Sequence, residues 1–181
     1  MITTRTLEQL KPALKNPASS GPGEVYFVLR PEVGREFGKE PNITIVPPGR
    51  LGDEFPKTFG HYHTHNEPEI YRFLYGSGIV LIQQRDEKGV VKSVRAINAS
   101  GGQTVKVPGG FGHCLINTGD DLLITADWES DEAGHSYTDI KARRGMAYYV
   151  LEKEGNIVFE KNIHYKEVPE IELISTETLN L

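Results

Sequence analysis

Short runs rich in β-branched and aromatic residues follow one another along this chain, and almost every one is closed by a turn signal. The runs cover residues 24–29 (EVYFVL), 42–46 (NITIV), 70–74, 79–84, 90–97, 103–107, 113–117, 122–128, 146–151 and 157–161. Between them stand Pro47-Pro48-Gly49, Gly76-Ser77-Gly78, Asp86-Glu87-Lys88-Gly89, Gly101-Gly102, Pro108-Gly109-Gly110, Thr118-Gly119-Asp120 and Glu154-Gly155-Asn156. Strands this short with turns this frequent predict an all-β sandwich or barrel. Leu7, Leu10 and Leu14 have helical spacing, and Pro12 limits that helix to a short N-terminal piece. Residues 16–23 read as a loop and 30–41 as charged and irregular. No repeat, low-complexity linker or long amphipathic helix divides the chain, so one domain over 1–181 is expected, with its core at about 24–162.

Composition excludes several function classes. A chain of 181 residues buries roughly 70% of its unfolded surface as one domain. With 20 basic and 25 acidic residues well mixed, net charge −5, it lacks the basic footprint of a nucleic-acid binder. The single cysteine, Cys114, excludes an intrachain disulfide framework and suits a reducing compartment. The N-terminal residues lack the apolar core of a signal peptide, and no apolar run approaches the ~18 residues of a membrane span. A soluble, cytoplasmic protein is expected.

The chemistry concentrates between residues 55 and 78. His61, His63 and His65 occupy alternate positions, and Glu69 opens the next apolar run. In a strand such alternate side chains share a face, roughly 6–7 Å apart per pair, so two imidazoles can grip one ion. An antiparallel return would bring Glu69 beside them. His113 follows the Pro108-Gly109-Gly110 turn. Histidines at strand spacing also occur as polar residues on a solvated face. The added glutamate and distant histidine favour a divalent-metal site suited to iron, manganese, nickel or zinc. Spacing alone leaves both His61 with His63 and His63 with His65 open as partners of Glu69.

The two histidine segments resemble the motifs of the cupin superfamily, a jelly-roll (double-stranded β-helix) barrel with metal in its mouth. Glu69 to Gly76 keeps the interval of the first motif, and Pro108, His113 and Asn117 match the second. Residues 56–63 (PKTFGHYH) followed by 68–71 (PEIY) are similar to the signature of the cupin-type glucose-6-phosphate isomerases best known from archaea. Residues 108–120 and Ala133-Gly134-His135-Ser136-Tyr137 match two further segments, so the likeness runs from about Val25 to Val158. The resemblance implies one divalent ion per chain, iron foremost, on His61, His63, Glu69 and His113. It implies phosphate contacts at Thr44, Thr58, Gly60 and Tyr137, with Tyr71 and His135 near the sugar. It also implies a homodimer acting in glycolysis and gluconeogenesis. The chain departs from the family pattern in three places. A short loop before Glu69 admits the rival set His63, His65 and Glu69. Trp128 lies nearest to where a tyrosine is expected, and Gly110-Phe111-Gly112 precedes His113.

Aldose–ketose isomerisation moves hydrogen between adjacent carbons. A divalent metal polarises the carbonyl and stabilises an enediolate. Glu69 is the expected proton carrier and His135 the expected ring-opening group; a hydride shift is the rival route. A cupin oxygenase with the same ligands and a non-catalytic sugar-phosphate binder are the alternative functions. Other residues have structural readings: Cys114 buried on the face opposite His113, Arg143 and Arg144 in a solvated turn, His164 on the surface. Tyr26, Phe27, Tyr148 and Tyr149 are expected to pack the barrel.

Overall fold

A computed structural model of the chain describes residues 1–31, 40–129 and 134–176. Ala133, and most of the segment expected to be irregular at 30–41, lie outside the described residues. The elements run β1 (Ile2–Thr6), α1 (Leu7–Leu10), β2 (Glu24–Leu29), β3 (Asn42–Val46), β4 (Tyr62–His63), β5 (Glu69–Tyr75), β6 (Ser77–Arg85) and β7 (Val91–Ser100). They continue with β8 (Thr104–Val107), β9 (Phe111–Asn117), β10 (Leu123–Trp128), β11 (His135–Ser136), α2 (Thr138–Ala142), β12 (Tyr148–Lys153), β13 (Asn156–Lys161) and β14 (Ile171–Ser175). The expected all-β fold with a short N-terminal helical piece is therefore present. Thr6 opens α1 with a capping box: its hydroxyl accepts from the Gln9 N–H while the Gln9 side chain accepts from the Thr6 N–H. Pro12 then sits in a 3₁₀ turn over Lys11–Ala13, where its missing donor costs little.

A six-stranded sheet has the order β1-β2-β3-β10-β5-β8 and a four-stranded sheet the order β14-β7-β6-β9. All pairings are antiparallel except β14 on β7. Residues 57–61 extend the four-stranded sheet beyond β9: Thr58 N–H donates to Leu115 O, and His61 and His113 exchange both backbone hydrogen bonds. Phe73, Leu81, Ile82, Leu115, Ile116 and Leu123 belong to one hydrophobic core, and burying each such side chain contributes about 1.5–3 kcal/mol.

Besides the two-residue β11, the strands β1 and β14 fall outside the expected runs. In β1, Thr3, Thr4 and Arg5 mask the β signal; in β14, at the sheet edge, Glu172 and Leu173 are exposed. β12 starts at Tyr148 rather than 146, because side chains replace ladder partners there. Gln83 Oε1 accepts from the Ala147 N–H at 2.7 Å, and Asn162 Nδ2 donates to Met146 O at 2.9 Å. The hairpin expected to carry Glu69 back along the histidine strand is also absent. β5 pairs with β8 and β10, whereas β4 pairs with β11. The histidine strand itself is two residues long, and His65 lies beyond it, exposed.

Gly76 makes the tight β5–β6 connection possible. Its φ is +76°, and a Cβ there would lie 2.2 Å from the Leu122 carbonyl oxygen. Gly76→Ala is expected to destabilise the fold by about 2 kcal/mol or more, from left-handed strain and a backbone clash. A denaturant midpoint unchanged from wild type would contradict this.

Candidate metal centre and substrate cavity

Two cross-strand pairs gather the histidines. His61 stands directly opposite His113 and His63 directly opposite His135, so each pair shares a face of its sheet. His61 and His63, two residues apart, turn the same way. Glu69 arrives from the six-stranded sheet, where it pairs with Val107. The site therefore spans the two sheets. His113 Nε2 lies 2.7 Å, His63 Nε2 3.2 Å and His61 Nε2 3.9 Å from Glu69 Oε2. One ligand atom from each of the four residues falls within 4.8 Å of the others.

The protonation pattern decides what this cluster can hold. His63 Nδ1 is 2.8 Å from Glu67 O and His113 Nδ1 is 3.2 Å from Phe111 O. A carbonyl oxygen only accepts, so both Nδ1 atoms carry hydrogen and the neutral rings present Nε2 lone pairs inward. Those Nε2 atoms, Nε2 of His61 and Glu69 Oε2 are all buried without a hydrogen-bond partner. A proton on one imidazole satisfies one or two of these atoms; a cation satisfies all four together. The donor set of three imidazoles and one carboxylate fits a divalent first-row metal. Burial and the neighbouring His113 hold the His61 pKa well below that of ordinary histidine, which keeps it in the ligating neutral form. Burial alone would raise Glu69, yet His113, His63 and His61 hold its carboxyl well below the usual range. His63 is lowered by burial but raised more by Glu69 and the Glu67 carbonyl, for a net upward shift.

A cavity of about 230 Å³ opens beside the cluster. Its wall includes Thr44, Thr58, Gly60, His61, Glu69, Tyr71, His135 and Tyr137, so every expected substrate-binding or catalytic residue borders it. Thr58 Oγ1 accepts from the Leu115 N–H at 3.0 Å, leaving its own hydrogen to donate. The Thr44 hydroxyl donates to Asp127 Oδ1 at 2.9 Å. Tyr71 is pushed well above the ordinary tyrosine pKa by burial and by Glu69, so its hydroxyl keeps its hydrogen.

Several wall residues were not anticipated, among them Asp127, Glu129 and Asn42. Asp127 and Glu129 alternate with Thr125 along β10 and just beyond it, all three buried. Burial, then Glu69, raises the Asp127 pKa well above the carboxylate range. Glu129 Oε2 lies 2.6 Å from His135 Nε2, and Asn42 Nδ2 donates to both acids at 3.0 Å. The signal was present: acids at strand spacing, the same pattern that marked the histidines. Tyr26, expected only to pack, does join the core but also borders the cavity, its hydroxyl 3.5 Å from the Phe59 N–H. Tyr148 and Tyr149 are buried as expected. His65 joins neither cluster of potential ligands among the described residues. Cys114 is buried, and burial raises its thiol to about 12, so it is inert as a nucleophile.

The family model for glucose-6-phosphate isomerase matches residues 32–168. The glucose-6-phosphate isomerase of Thermococcus litoralis is 36% identical over 140 residues, 77% of this chain and 70% of the relative. The chain belongs to the glucose-6-phosphate isomerase family. The enzyme of that name from Pyrococcus abyssi is likewise 36% identical, over 144 residues, 79% of this chain and 72% of the relative. Among solved structures, the Drosophila melanogaster CENP-C cupin domain is 13% identical, with a TM-score of 0.39 over 49% of this chain and 55% of that one. As a member of the glucose-6-phosphate isomerase family the chain is an isomerase. No helix among its described residues is long and apolar enough to cross a membrane.

Proposed function

We propose that this enzyme interconverts glucose 6-phosphate and fructose 6-phosphate, using one divalent ion per chain held by His61, His63, Glu69 and His113. The reading is carried by the four buried acceptor atoms that converge without partners beside a cavity of sugar size. The bound ion supplies Lewis acidity toward the sugar carbonyl oxygen. Iron is the foremost candidate, and manganese, nickel and zinc share the same donor preferences.

The protein's own groups divide the remaining work. Glu69 Oε2 faces the imidazoles, so Oε1 is the oxygen left to carry a proton between the two carbons through a cis-enediol. His135, tied to Glu129, moves a proton at the ring oxygen during opening. Tyr71 donates to a sugar oxygen. Thr58, the Gly60 backbone, Tyr137 and Thr44 hold the phosphoryl end. By analogy with the family, the working unit is a cytoplasmic homodimer of single-domain chains serving glycolysis and gluconeogenesis.

The test is a coupled assay of fructose 6-phosphate conversion, with oxygen uptake recorded in parallel. Glucose 6-phosphate formation without oxygen consumption is expected. Oxygen uptake would support a cupin oxygenase. Tight binding of the sugar phosphate without conversion would support a non-catalytic binder.

A further inference from the structure

The inner face of the six-stranded sheet changes sign from one side to the other. At its β1 edge Arg5 stands opposite Tyr26; further in, Val28 faces Thr44, Asn42 faces Asp127, and Asp127 faces Tyr71. All of these line the cavity. Among the described residues its basic ones are Arg5 and Arg30, at the β1 side, and its acidic ones Glu69, Asp127 and Glu129, at the other. Among the described residues no carboxylate forms an ion pair with either arginine.

Among the described residues, the groups that hold Arg5 in place are neutral. Its Nε donates to the Tyr26 hydroxyl at 3.3 Å, and its guanidinium lies 5.7 Å from the Phe59 ring centre and 6.0 Å from that of Tyr137. A register shift between Arg5 and Thr6 ends the regular ladder there. Arg30 is tied to the same strand through Thr3. The guanidinium is thus half-buried and lines the cavity with Thr58, Gly60 and Tyr137, and among the described residues no hydrogen bond takes up its terminal nitrogens.

We infer that Arg5 is the cationic anchor for the phosphoryl group of the substrate, with Arg30 adding to the positive field. This rests on the sugar-phosphate isomerase reading. Hydroxyls and amides donate hydrogen bonds but bring no net charge, so alone they leave the two charges of a phosphate monoester uncompensated. A guanidinium provides the compensating charge and a planar fork matched to phosphate oxygens. The gradient also fixes polarity: phosphate toward β1, reacting carbons toward Glu69.

Sorbitol 6-phosphate, which has no carbonyl to isomerise, is the probe, with sorbitol as the uncharged control. On the full chain, Arg5→Gln is expected to weaken sorbitol 6-phosphate binding by roughly 10–100-fold and leave the weak binding of sorbitol unchanged. The KM for fructose 6-phosphate should rise by a larger factor than kcat falls. Arg5→Lys, which keeps the charge and loses the fork, should recover part of the affinity; it carries the test if Arg5→Gln does not fold. Wild-type affinity for sorbitol 6-phosphate in Arg5→Gln would overturn the inference. Equal losses for sorbitol and its phosphate would overturn it too, marking Arg5 as merely structural. A wild-type protein that binds sorbitol 6-phosphate through Arg5 but converts no sugar would overturn the isomerase reading and support the anchor.

Discussion

His61→Ala releases the metal and removes turnover, whereas His65→Ala leaves both within about twofold of wild type. Two backbone hydrogen bonds to His113 fix where the His61 imidazole stands. The truncation also leaves the buried Nε2 atoms of His63 and His113 facing Glu69 with one ligand missing. Losing a group that merely supports a ligand costs roughly 10–100-fold in metal affinity or activity, and losing the ligand itself should exceed that range. His65 is exposed, and its Nδ1 lies 3.3 Å from Thr64 Oγ1. Metal content measured beside activity separates the two variants. The reverse ranking would move the site to His63, His65 and Glu69.

Glu69→Gln is expected to keep an oxygen ligand but lower kcat by about 10²–10⁴, the usual cost of losing a general base. Glu69 is buried, and of the two expected catalytic residues, Glu69 and His135, it alone belongs to the cluster with His113 while also bordering the cavity. Binding of sorbitol 6-phosphate should survive better than turnover, because Arg5, Thr58 and Tyr137 are untouched. Hydrogen exchange sharpens the result. Proton transfer by Glu69 lets substrate hydrogen wash out to solvent, whereas a hydride shift retains it. A Glu69→Gln protein with its metal and near-full activity would remove the glutamate from proton transfer.

The central strands were legible because the signals that define them are local. Glu24–Leu29 and Asn42–Val46 match their expected bounds, since β-branched residues meet hard punctuation at each end. The histidine cluster was legible for the same reason: alternation on a strand and a turn before His113 are sequence-near features. What carried Glu69 to the imidazoles was not. Its neighbours, β8 and β10, are set by sheet-to-sheet packing across the barrel, which a hairpin rule cannot anticipate. Asp127 and Glu129 were missed because an acid in a strand reads as solvent-facing until the barrel closes over it. Arg5 was missed because β1 looks polar, and its β2 partner lies beyond a proline-rich loop.

The most direct measurement is a titration of metal-stripped protein with ferrous, manganous, nickel and zinc ions, recording bound metal and fructose 6-phosphate turnover in the same samples. Activity should rise in proportion to bound metal and level off at one ion per chain. The His61→Ala protein should show neither tight binding nor recovery. Full turnover in protein verified to be metal-free, or activity that ignores occupancy of the site, would contradict the account.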